Sequence, residues 1–366
     1  MFKKKIQFYY KTLIRLIFKI IYGSIIVDSN SDKLFDRYHI DKYSNDKCPD
    51  RKYFLYIAKK CRIYTDLNEN VAIIKDNIIL PELSFQQVDS KLENAKYNSV
   101  IKNGTPYIKK KIKGTILNLL QGSSGENYFH FMFDILPRIF IAKSFLNLNE
   151  IDYFLLNKKI EWQINILKII GVSSKKIIDA KKFRHIDAEK LITVSHPWYN
   201  KGYIQNETIN LPDWIVSELR KTFLVKSNKP EPNNLNLFID RSESKYFHCK
   251  ILNNEEVAKF LQKKNFEILK PEKISLIEQI QKFNSAKTVI GAHGAGLTNI
   301  VFSKEKTNVI EIIPESHPSK KVERLSDILN LKYFRYKTED TQYDKMYPFN
   351  IKVDIKKLEN FLNTKI

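Results

Sequence analysis

A regular alternation of short apolar runs with helical patterns in the last third of the 366-residue chain constrains the fold most strongly. The segments between the runs have the spacing of amphipathic helices, and Ser275 with Glu278 three residues later forms a predicted capping box. This order predicts a doubly wound α/β domain, in which ligands bind beyond the carboxyl ends of the strands. The predicted strands are LNLFID (235–240), NFEILK (265–270), TVIG (288–291), NVIEII (308–313) and LKYFRY (331–336).

The residues before this region predict a second α/β domain. Short apolar runs between 70 and 120, a helix over about 127–146, and a strand, helix and strand between 152 and 194 suggest a mostly parallel sheet. A Pro- and Asn-rich stretch at 225–236 is the best candidate for a linker. The predicted division is a basic amphipathic helix (1–27), an N-terminal α/β domain (28–228), a C-terminal Rossmann-like domain (233–340) and a terminal tail or helix (341–366).

The first 22 residues have a basic amphipathic pattern. They carry six basic residues, and the first acidic residue is Asp28. Their longest uncharged run is too short to cross a bilayer, and charges inside the apolar stretch argue against a signal peptide. Two interpretations remain: a helix that lies on an anionic membrane surface, or a helix docked on its own domain with a solvated basic face. The basic residues are Lys3, Lys4, Lys5, Lys11, Arg15 and Lys19.

The net charge of +21 does not by itself indicate a nucleic-acid-binding protein. Lys and Arg number 62 against 41 Asp and Glu, but only ten of the 62 are Arg. Recognition of bases and phosphates usually draws on Arg, and the lysines are scattered along the chain instead of clustering with aromatic residues.

The three cysteines form no CxxC pair, so a disulfide framework is not expected and a reducing, cytoplasmic compartment is the default expectation.

A glycine-rich turn, GAHGAGLTN (291–299), follows the third predicted strand of the C-terminal region. Its glycines allow backbone N–H groups to approach a ligand, and the helix start behind them favours an anion such as a diphosphate. His293 in the middle of the turn is well placed to contact a phosphate or a sugar. The glycines fall as GxxGxG and not as the GxGxxG of dinucleotide sites, which weakens the alternative of an NAD(P)-dependent oxidoreductase with Glu311 on the ribose. A plain strand-to-helix crossover, with Glu311 as a partly exposed edge residue, is the structural alternative.

A second constellation lies in ENYFHFMFDILPR (126–138), where Asn127, His130, Asp134 and Arg138 share one face of a helix that is otherwise apolar. Asp134 can orient the His130 ring, as a general base requires. A buried network that only fixes packing is the alternative.

Arg241, in FIDRSES (238–244), follows the first C-terminal strand and could clamp a diphosphate or be a solvated loop residue. No P-loop, GxSxG, HExxH, EF-hand or D-x-D pattern occurs, so no metal is expected.

Together these motifs resemble glycosyltransferase family 61, which includes bacterial capsule and lipopolysaccharide enzymes; the resemblance covers about residues 115–315. It implies a GT-B-like fold, two Rossmann-like domains facing across a cleft, and inverting, metal-independent chemistry with no cofactor. The C-terminal domain would hold a nucleotide sugar, with a UDP-sugar as the expected donor, and the N-terminal domain would hold the acceptor. The implied donor-site residues are Arg241, Glu278, Gly291, His293, Gly294, Ala295, Gly296, Leu297, Thr298 and Glu311.

On the acceptor side the resemblance implies Asn127, His130 and Arg138, with His130 or Asp134 as the base and His293 as a competitor for that role. The expected reaction moves a sugar to a hydroxyl of a surface-polysaccharide or lipid-linked glycan. The expected location is the inner face of a bacterial cytoplasmic membrane, with peripheral attachment and no nucleic-acid partner. The NAD(P)-dependent oxidoreductase remains the alternative function.

Overall fold

The fold is taken from a computed structural model that describes residues 2–67, 70–121, 126–199, 202–203, 207–227, 234–243, 248–339 and 349–366. The chain divides into two compact units, Met1–Pro212 and Asp213–Ile366. Each unit is built on its own sheet, so the predicted α/β class is confirmed. Residues 228–233 of the expected linker and Ser244 of FIDRSES lie outside the described residues.

The first unit contains a mixed sheet of 12 strands, and this differs from the mostly parallel, Rossmann-like sheet that the sequence predicts. Among the described residues of this sheet, the parallel pairs are β8–β9, β9–β10, β8–β11 and the short β1–β5. The long β3 pairs antiparallel with β2, β4 and β11. The connections around β4 are too short for the crossovers that parallel pairing requires. The strands are β1 (Ile26–Val27), β2 (Asp36–Ile40), β3 (Tyr53–Thr65), β4 (Asn70–Lys75), β5 (Ile78–Ile79), β6 (Phe85–Val88), β7 (Lys91–Leu92), β8 (Lys110–Asn118), β9 (Tyr153–Leu156), β10 (Ile177–Asp179), β11 (His185–Val194) and β12 (Gly202–Tyr203).

A tight hairpin joins β4 to β5. Asp76 and Asn77 both have positive φ, 50° and 61°. Two successive positive φ values are the geometry of the tight turn that joins twisted antiparallel strands, and Asn and Asp tolerate it best after Gly.

The helical elements of this unit are Phe2–Tyr22, Ser99–Asn103, Tyr128–His130, Leu136–Lys143 and Glu161–Ile169, with a π-helical segment at Phe131–Ile135 and 3-10 turns at Ser31–Leu34, Ala95–Tyr97, Leu148–Glu150, Ser174–Lys176 and Thr208–Asn210.

The N-terminal helix forms as predicted, over Phe2–Tyr22. Nine of its large apolar side chains remain 41–77% exposed, so the helix is not docked on the unit through them. No described helix combines the length and apolar character needed to span a bilayer. The exposed side chains are Ile6, Phe8, Tyr9, Tyr10, Leu13, Leu16, Ile17, Ile20 and Ile21.

The second unit is the predicted doubly wound domain, with five parallel strands in the order β14-β13-β15-β16-β17. In this order the chain places its second strand outside the first and then reverses direction, so the switch point lies between β13 and β15. The strands are β13 (Leu235–Ile239), β14 (Glu267–Leu269), β15 (Ala286–Ala292), β16 (Asn308–Pro314) and β17 (Lys332–Thr338), and the helices are Asp213–Ser227, Asn254–Lys263, Leu276–Asn284, Lys321–Ile328 and Ile355–Lys365, with 3-10 turns at Pro271–Lys273 and Ala295–Phe302.

The limits of the second unit differ from the predicted domain limits at both ends. The helix Asp213–Ser227 belongs to it, because Arg220 Nη1 donates to the carbonyls of Val301 (2.8 Å) and Ser303 (2.7 Å). The predicted tail also belongs to it, because Leu358 of the last helix is buried in the core of this sheet. Burial of these apolar faces, and not the Pro- and Asn-rich composition, sets where the unit begins and ends.

Candidate functional site

The first candidate site lies at the switch point of the second unit, where β13 and β15 end side by side. Arg241 follows β13, and the glycine-rich turn follows β15. Arg241 Nη1 donates a hydrogen bond to the carbonyl of His293 (2.6 Å), so the two predicted motifs meet. Switch points are where parallel α/β sheets bind their ligands, since the loops on either side diverge and leave a crevice.

The glycines of the turn make room for Arg241. A Cβ atom on Gly294, whose φ is +148°, would lie 2.0 Å from Arg241 Nη1. A Cβ atom on Gly296 would lie 3.1 Å from Arg241 Cδ. The glycines are predicted to allow a ligand to approach closely. In the structure they make room for the guanidinium group of Arg241, which brings its positive charge to the turn.

His293 is buried and held by a carboxylate. Its Nδ1 lies 2.5 Å from Glu311 Oε1, and Tyr333 donates its hydroxyl to Glu311 Oε2 (2.5 Å). Burial, with Lys321 as the next contribution, holds the pKa of His293 well below its ordinary value. The predicted role of Glu311 on a ribose does not fit this placement, because both carboxylate oxygens are engaged inside the sheet; nor is Glu311 the partly exposed edge residue of the structural alternative.

Three further basic groups that sequence reasoning missed surround His293. His248 follows β13, while His317 and Lys321 follow β16. Burial lowers the pKa of His248 to about 4, of His317 to about 3 and of Lys321 to about 8. All three lie in loops or helix starts after parallel strands, so the one signal that could have found them is their position behind strand ends in a doubly wound pattern.

The three histidines are close enough to be considered as metal ligands, since one nitrogen from each lies within 4.8 Å of the others. The hydrogen bonds argue against that use. The N–H of Ser319 donates to His317 Nδ1 (3.2 Å), which leaves the proton of neutral His317 on Nε2, and this Nε2 faces His248 Nε2 at 2.9 Å. Arg241 and Lys321 also repel a cation here. The cluster therefore fits an anion better than a metal ion.

The remaining predicted donor-site residues differ in how far their side chains are engaged within the protein. Glu278 forms the predicted capping box, which is confirmed: its Oε2 accepts from Ser275 N (2.8 Å) and Oγ (2.7 Å), so its carboxylate is committed to the helix start. Leu297 is fully buried and contributes packing, while Gly291 lies within β15 with no side chain to offer. Ala295 is half-buried at the turn, and Thr298 Oγ1 is a buried oxygen without a hydrogen-bond partner among the described residues.

The second candidate site lies in the first unit and is built on His130 and Asp134. His130 Nδ1 lies 2.7 Å from Asp134 Oδ2, as the four-residue spacing predicts. Asp134 is completely buried, whereas the His130 side chain remains 17% exposed. With Nδ1–H donating to the carboxylate, Nε2 of His130 carries the lone pair. Of the two predicted base candidates, only His130 can therefore present a basic atom outward.

Two side chains from distant segments hold Asp134. Gln121 Nε2 donates to Oδ2 (2.5 Å) and Trp198 Nε1 donates to Oδ1 (2.7 Å), so both oxygens are engaged before any substrate arrives. The Tyr199 hydroxyl lies 3.3 Å from His130 Nδ1, on the same side of the ring. Sequence reasoning missed Trp198 and Tyr199, and nothing local to residues 198–199 marks them.

The backbone around Asp134 departs from a regular α-helix. Residues Phe131–Ile135 form a π-helical segment immediately before Pro137. Because Pro137 has no N–H to donate to the Phe133 carbonyl four residues earlier, that carbonyl accepts from Trp198 Nε1 (3.1 Å). The helix thus departs from regular α geometry through a π-helical turn, and the freed Phe133 carbonyl contacts Trp198.

Asn127 and Arg138, predicted to face the acceptor, have other partners. The Asn127 side chain caps the helix start by accepting from Phe129 N (2.9 Å) and His130 N (3.3 Å). Arg138 is buried and donates from Nη1 to the carbonyl of Leu120 (2.9 Å), and burial lowers its pKa to about 10. These hydrogen bonds hold the helical segment that carries His130.

The chain resembles known proteins over the region that carries these sites. A family model described as glycosyltransferase 61 matches residues 128–310. Alpha-1,3-arabinosyltransferase XAT3 of Oryza sativa subsp. japonica is 26% identical over 210 residues, 53% of this chain and 35% of that protein. Xylan glycosyltransferase MUCI21 of Arabidopsis thaliana is 22% identical over 261 residues, 64% of this chain and 50% of that protein.

The chain spans between about a third and a half of the length of these relatives. Both are plant proteins and give no support to the bacterial capsule or lipopolysaccharide type that the motifs suggest. The family match is the stronger finding, because it covers half of the chain and includes His130, Asp134, Arg241 and the glycine-rich turn. On this match, with the motifs and the folded sites that it contains, the chain belongs to glycosyltransferase family 61.

Proposed function

We propose that the protein is an inverting glycosyltransferase that moves a sugar from a nucleotide sugar, UDP-linked by preference, to a hydroxyl group of a glycan. The observation that carries the proposal is the cluster of Arg241, Lys321 and the three histidines at the switch point of the second unit. A diphosphate is the anion that a nucleotide sugar would present there. The relatives named for arabinosyl and xylan transfer make UDP-linked pentoses the first donors to test.

The donor cluster suits a leaving diphosphate. When the bond between the sugar C1 and the diphosphate oxygen breaks, negative charge grows on that oxygen. Arg241 and Lys321 supply fixed positive charge, and the backbone N–H groups at Gly294–Gly296 add dipoles of the same sense. We propose that this set performs the work a metal ion does in other transferases, so that no metal is required.

His130 is the proposed general base. In a single displacement, the acceptor oxygen forms its bond to the sugar C1 as the diphosphate departs, and the proton of the acceptor hydroxyl passes to His130 Nε2. In this scheme the Asp134 carboxylate stabilises the imidazolium that forms, as the carboxylate does in hydrolytic triads. His293 is the weaker candidate, because it is buried and its Nδ1 is engaged by Glu311. The GT-B-like arrangement of the two units stays a prediction.

The N-terminal helix is proposed to attach the protein peripherally to an anionic membrane. Its exposed apolar side chains, interleaved with six basic residues, have the composition of helices that lie in the interface, with apolar groups inserted and Lys or Arg at the head groups. Attachment would suit an acceptor that is lipid-linked or membrane-bound. The expected location on the inner face of a cytoplasmic membrane, and a surface-polysaccharide acceptor, stay predictions of this proposal.

The donor assignment is tested by calorimetric titration of the full chain with UDP, a panel of UDP-sugars and NAD. We expect UDP compounds to bind and the Arg241→Ala variant to lose about tenfold or more in affinity, the scale of a charged hydrogen bond to phosphate. Arg37→Ala, which removes an exposed arginine that rests on Phe54, is the matched control. Release of UDP with a glycan acceptor then reports transfer. Binding of NAD without UDP would establish the oxidoreductase alternative, and undiminished UDP binding by Arg241→Ala would refute the site.

A further inference from the structure

A second exposed surface, apolar and basic, lies beside the C-terminal end of the N-terminal helix. We call it the basal patch and define it as residues 107–111, which lead into β8, together with residues 181–184, which lead into β11. Ile108 is 82% exposed, the largest exposed fraction among the large apolar side chains described. Tyr107 and Phe183 are also exposed. Three large exposed apolar side chains in two neighbouring segments form a contiguous apolar surface, and such surfaces mark interaction sites.

The basal patch is continuous with the helix. The N–H of Lys109 donates to the Tyr22 hydroxyl (3.1 Å), and the Tyr22 ring meets the His185 ring edge-on at 4.9 Å. Arg184 Nη1 donates to the Tyr107 hydroxyl (2.7 Å), which joins the two turns. Tyr22, the last helical residue, is therefore packed against Lys109 of the patch and against His185, the residue that follows the second segment of the patch. The C-terminal end of the helix thus lies beside this surface.

The charge of the basal patch has one sign. Its two segments contain six basic residues and no acidic residue. Lys109 is partly neutralised by Asp187 at 3.1 Å, while the Lys110 ammonium group lies 5.9 Å from the centre of the Phe183 ring. Long basic side chains around aromatic and aliphatic groups are typical of surfaces at lipid head groups. The basic residues are Lys109, Lys110, Lys111, Lys181, Lys182 and Arg184.

We propose that the basal patch is a second membrane-contact site, which binds an anionic bilayer together with the helix and sets how the first unit faces the membrane. Ile108 and Phe183 enter the boundary between head groups and acyl chains, and the lysines meet the lipid phosphates. This inference rests on the membrane contact proposed above for the helix. It is independent of the transferase chemistry, which donor titration measures separately.

The test is flotation of the full chain with vesicles of phosphatidylcholine, with and without phosphatidylglycerol. We expect binding to the anionic vesicles only. Ile108→Ser with Phe183→Ser should lower the partition coefficient about tenfold, on the scale of burying two large apolar side chains in part. Lys110→Gln with Lys111→Gln should lower it about 25-fold, which is about fivefold for each lysine at an anionic surface. Ile209→Ser with Phe145→Ser, exposed residues of the same unit, is the matched control and should bind normally.

A second measurement tests directly whether residue 108 enters the membrane. An environment-sensitive fluorophore on Ile108→Cys, in a Cys48→Ser background, should shift to the blue and become protected from aqueous quencher on anionic vesicles. The same fluorophore on Ile209→Cys should do neither. If the patch variants float like the unaltered chain, or if the label at 108 stays quenched while the helix binds, the helix alone is the contact and the inference is overturned. If the unaltered chain does not float, both membrane proposals fall, while UDP-sugar binding still decides the transferase proposal.

Discussion

Two histidine–carboxylate pairs, one in each unit, have nearly the same contact and opposite surroundings. His130 meets Asp134 at 2.7 Å, and His293 meets Glu311 at 2.5 Å. The His130 side chain is 17% exposed, and its carboxylate is held by neutral donors from Gln121 and Trp198. The His293 side chain is 3% exposed and lies among cations. The contact alone therefore does not define a role. In the proposed function the first pair exchanges a proton with the acceptor, and the second shapes a site for the diphosphate.

Removal of the exposed histidine should have the largest effect. His130→Ala should lower kcat about 10³-fold, within the range that general-base groups contribute, because no other group takes the acceptor proton. Affinity for the UDP-sugar should stay within about twofold, since the base belongs to the acceptor side.

The matched control for this variant is His39→Ala. His39 also pairs with a carboxylate, Asp41 at 2.6 Å, but both side chains are exposed, so its loss should leave kcat unchanged. Steady-state kinetics of UDP release measures both variants. A His130→Ala enzyme with normal kcat would remove His130 from the mechanism and return His293 as the base.

The two carboxylates should respond differently to the same chemical change. Asp134→Asn should lower kcat on the order of 10²-fold, because an amide no longer fixes the His130 tautomer or stabilises the imidazolium. Glu311→Gln should change kcat little and instead weaken donor affinity, because it loosens His293 within the anion cluster. The split between kcat and donor affinity, measured by kinetics and by calorimetry, is the readout. Equal effects of both changes on kcat would show that the pairs are not distinct in role.

A steric change at the glycine-rich turn tests the anion cluster alone. Gly294→Ala places a methyl group where Arg241 Nη1 lies, so the guanidinium must leave the turn. We expect donor affinity to fall about 30-fold, the scale of lost charged hydrogen bonds. Gly171→Ala is the control, because Gly171 also has a positive φ of +90° but nothing lies within 4 Å of the added Cβ. Calorimetry compares the two, and thermal melting checks that both fold. Normal donor affinity of Gly294→Ala would show that Arg241 does not contact the donor.

The smallest expected effect is a pH dependence of donor binding. His248 and His317, with pKa values of about 4 and about 3, are neutral in the free protein near neutral pH. An adjacent diphosphate raises these pKa values, so the complex binds more protons than the free protein, and affinity must rise as the pH falls. Glu311, Lys321, Arg241 and Arg335 face the same cluster.

We expect UDP-sugar affinity to increase about threefold from about pH 7 to about pH 5.5. A UDP-sugar is the suitable probe because its diphosphate diester keeps its charge over this range. Calorimetry in buffers of different ionisation heat counts the protons taken up. Affinity that falls towards acid pH would place the anion away from these histidines.

Much of the second unit could be predicted from sequence, and much less of the first. The five strands, the capping box at Ser275 and the turn after β15 follow from periodicity and local hydrogen-bonding chemistry. In the first unit the strand–helix alternation between 127 and 194 predicts a mostly parallel sheet. The pairs β8–β9, β9–β10 and β8–β11 are parallel, but the long β3 pairs antiparallel with its neighbours, because an apolar run alone does not reveal its partner. The His130–Asp134 contact was predictable because four residues make one helical turn.

Two predicted site roles differ from the observed contacts for one physical reason. Arg138 and Glu311 each have a functional interpretation from their position in a motif, and each is buried with hydrogen-bond partners that lie outside its own motif. Burial commits a polar group to whatever hydrogen-bond partner the packing supplies, because an unpaired buried group is costly. The predicted oxidoreductase role of Glu311 fails for this reason, since its oxygens belong to His293 and Tyr333.

Local sequence is sufficient to predict the short-range features, which are the basic amphipathic helix, the strand–helix alternation of the second unit, the glycine-rich turn and the spacing of His130 from Asp134. These depend on periods of two to four residues and on turn chemistry, which neighbouring residues control. Long-range packing determines which strand lies next to which, that Trp198 holds Asp134 from 64 residues away, and that His248, His317 and Lys321 lie around His293. Those contacts join residues far apart in the chain, and only the burial of whole apolar faces brings such residues together.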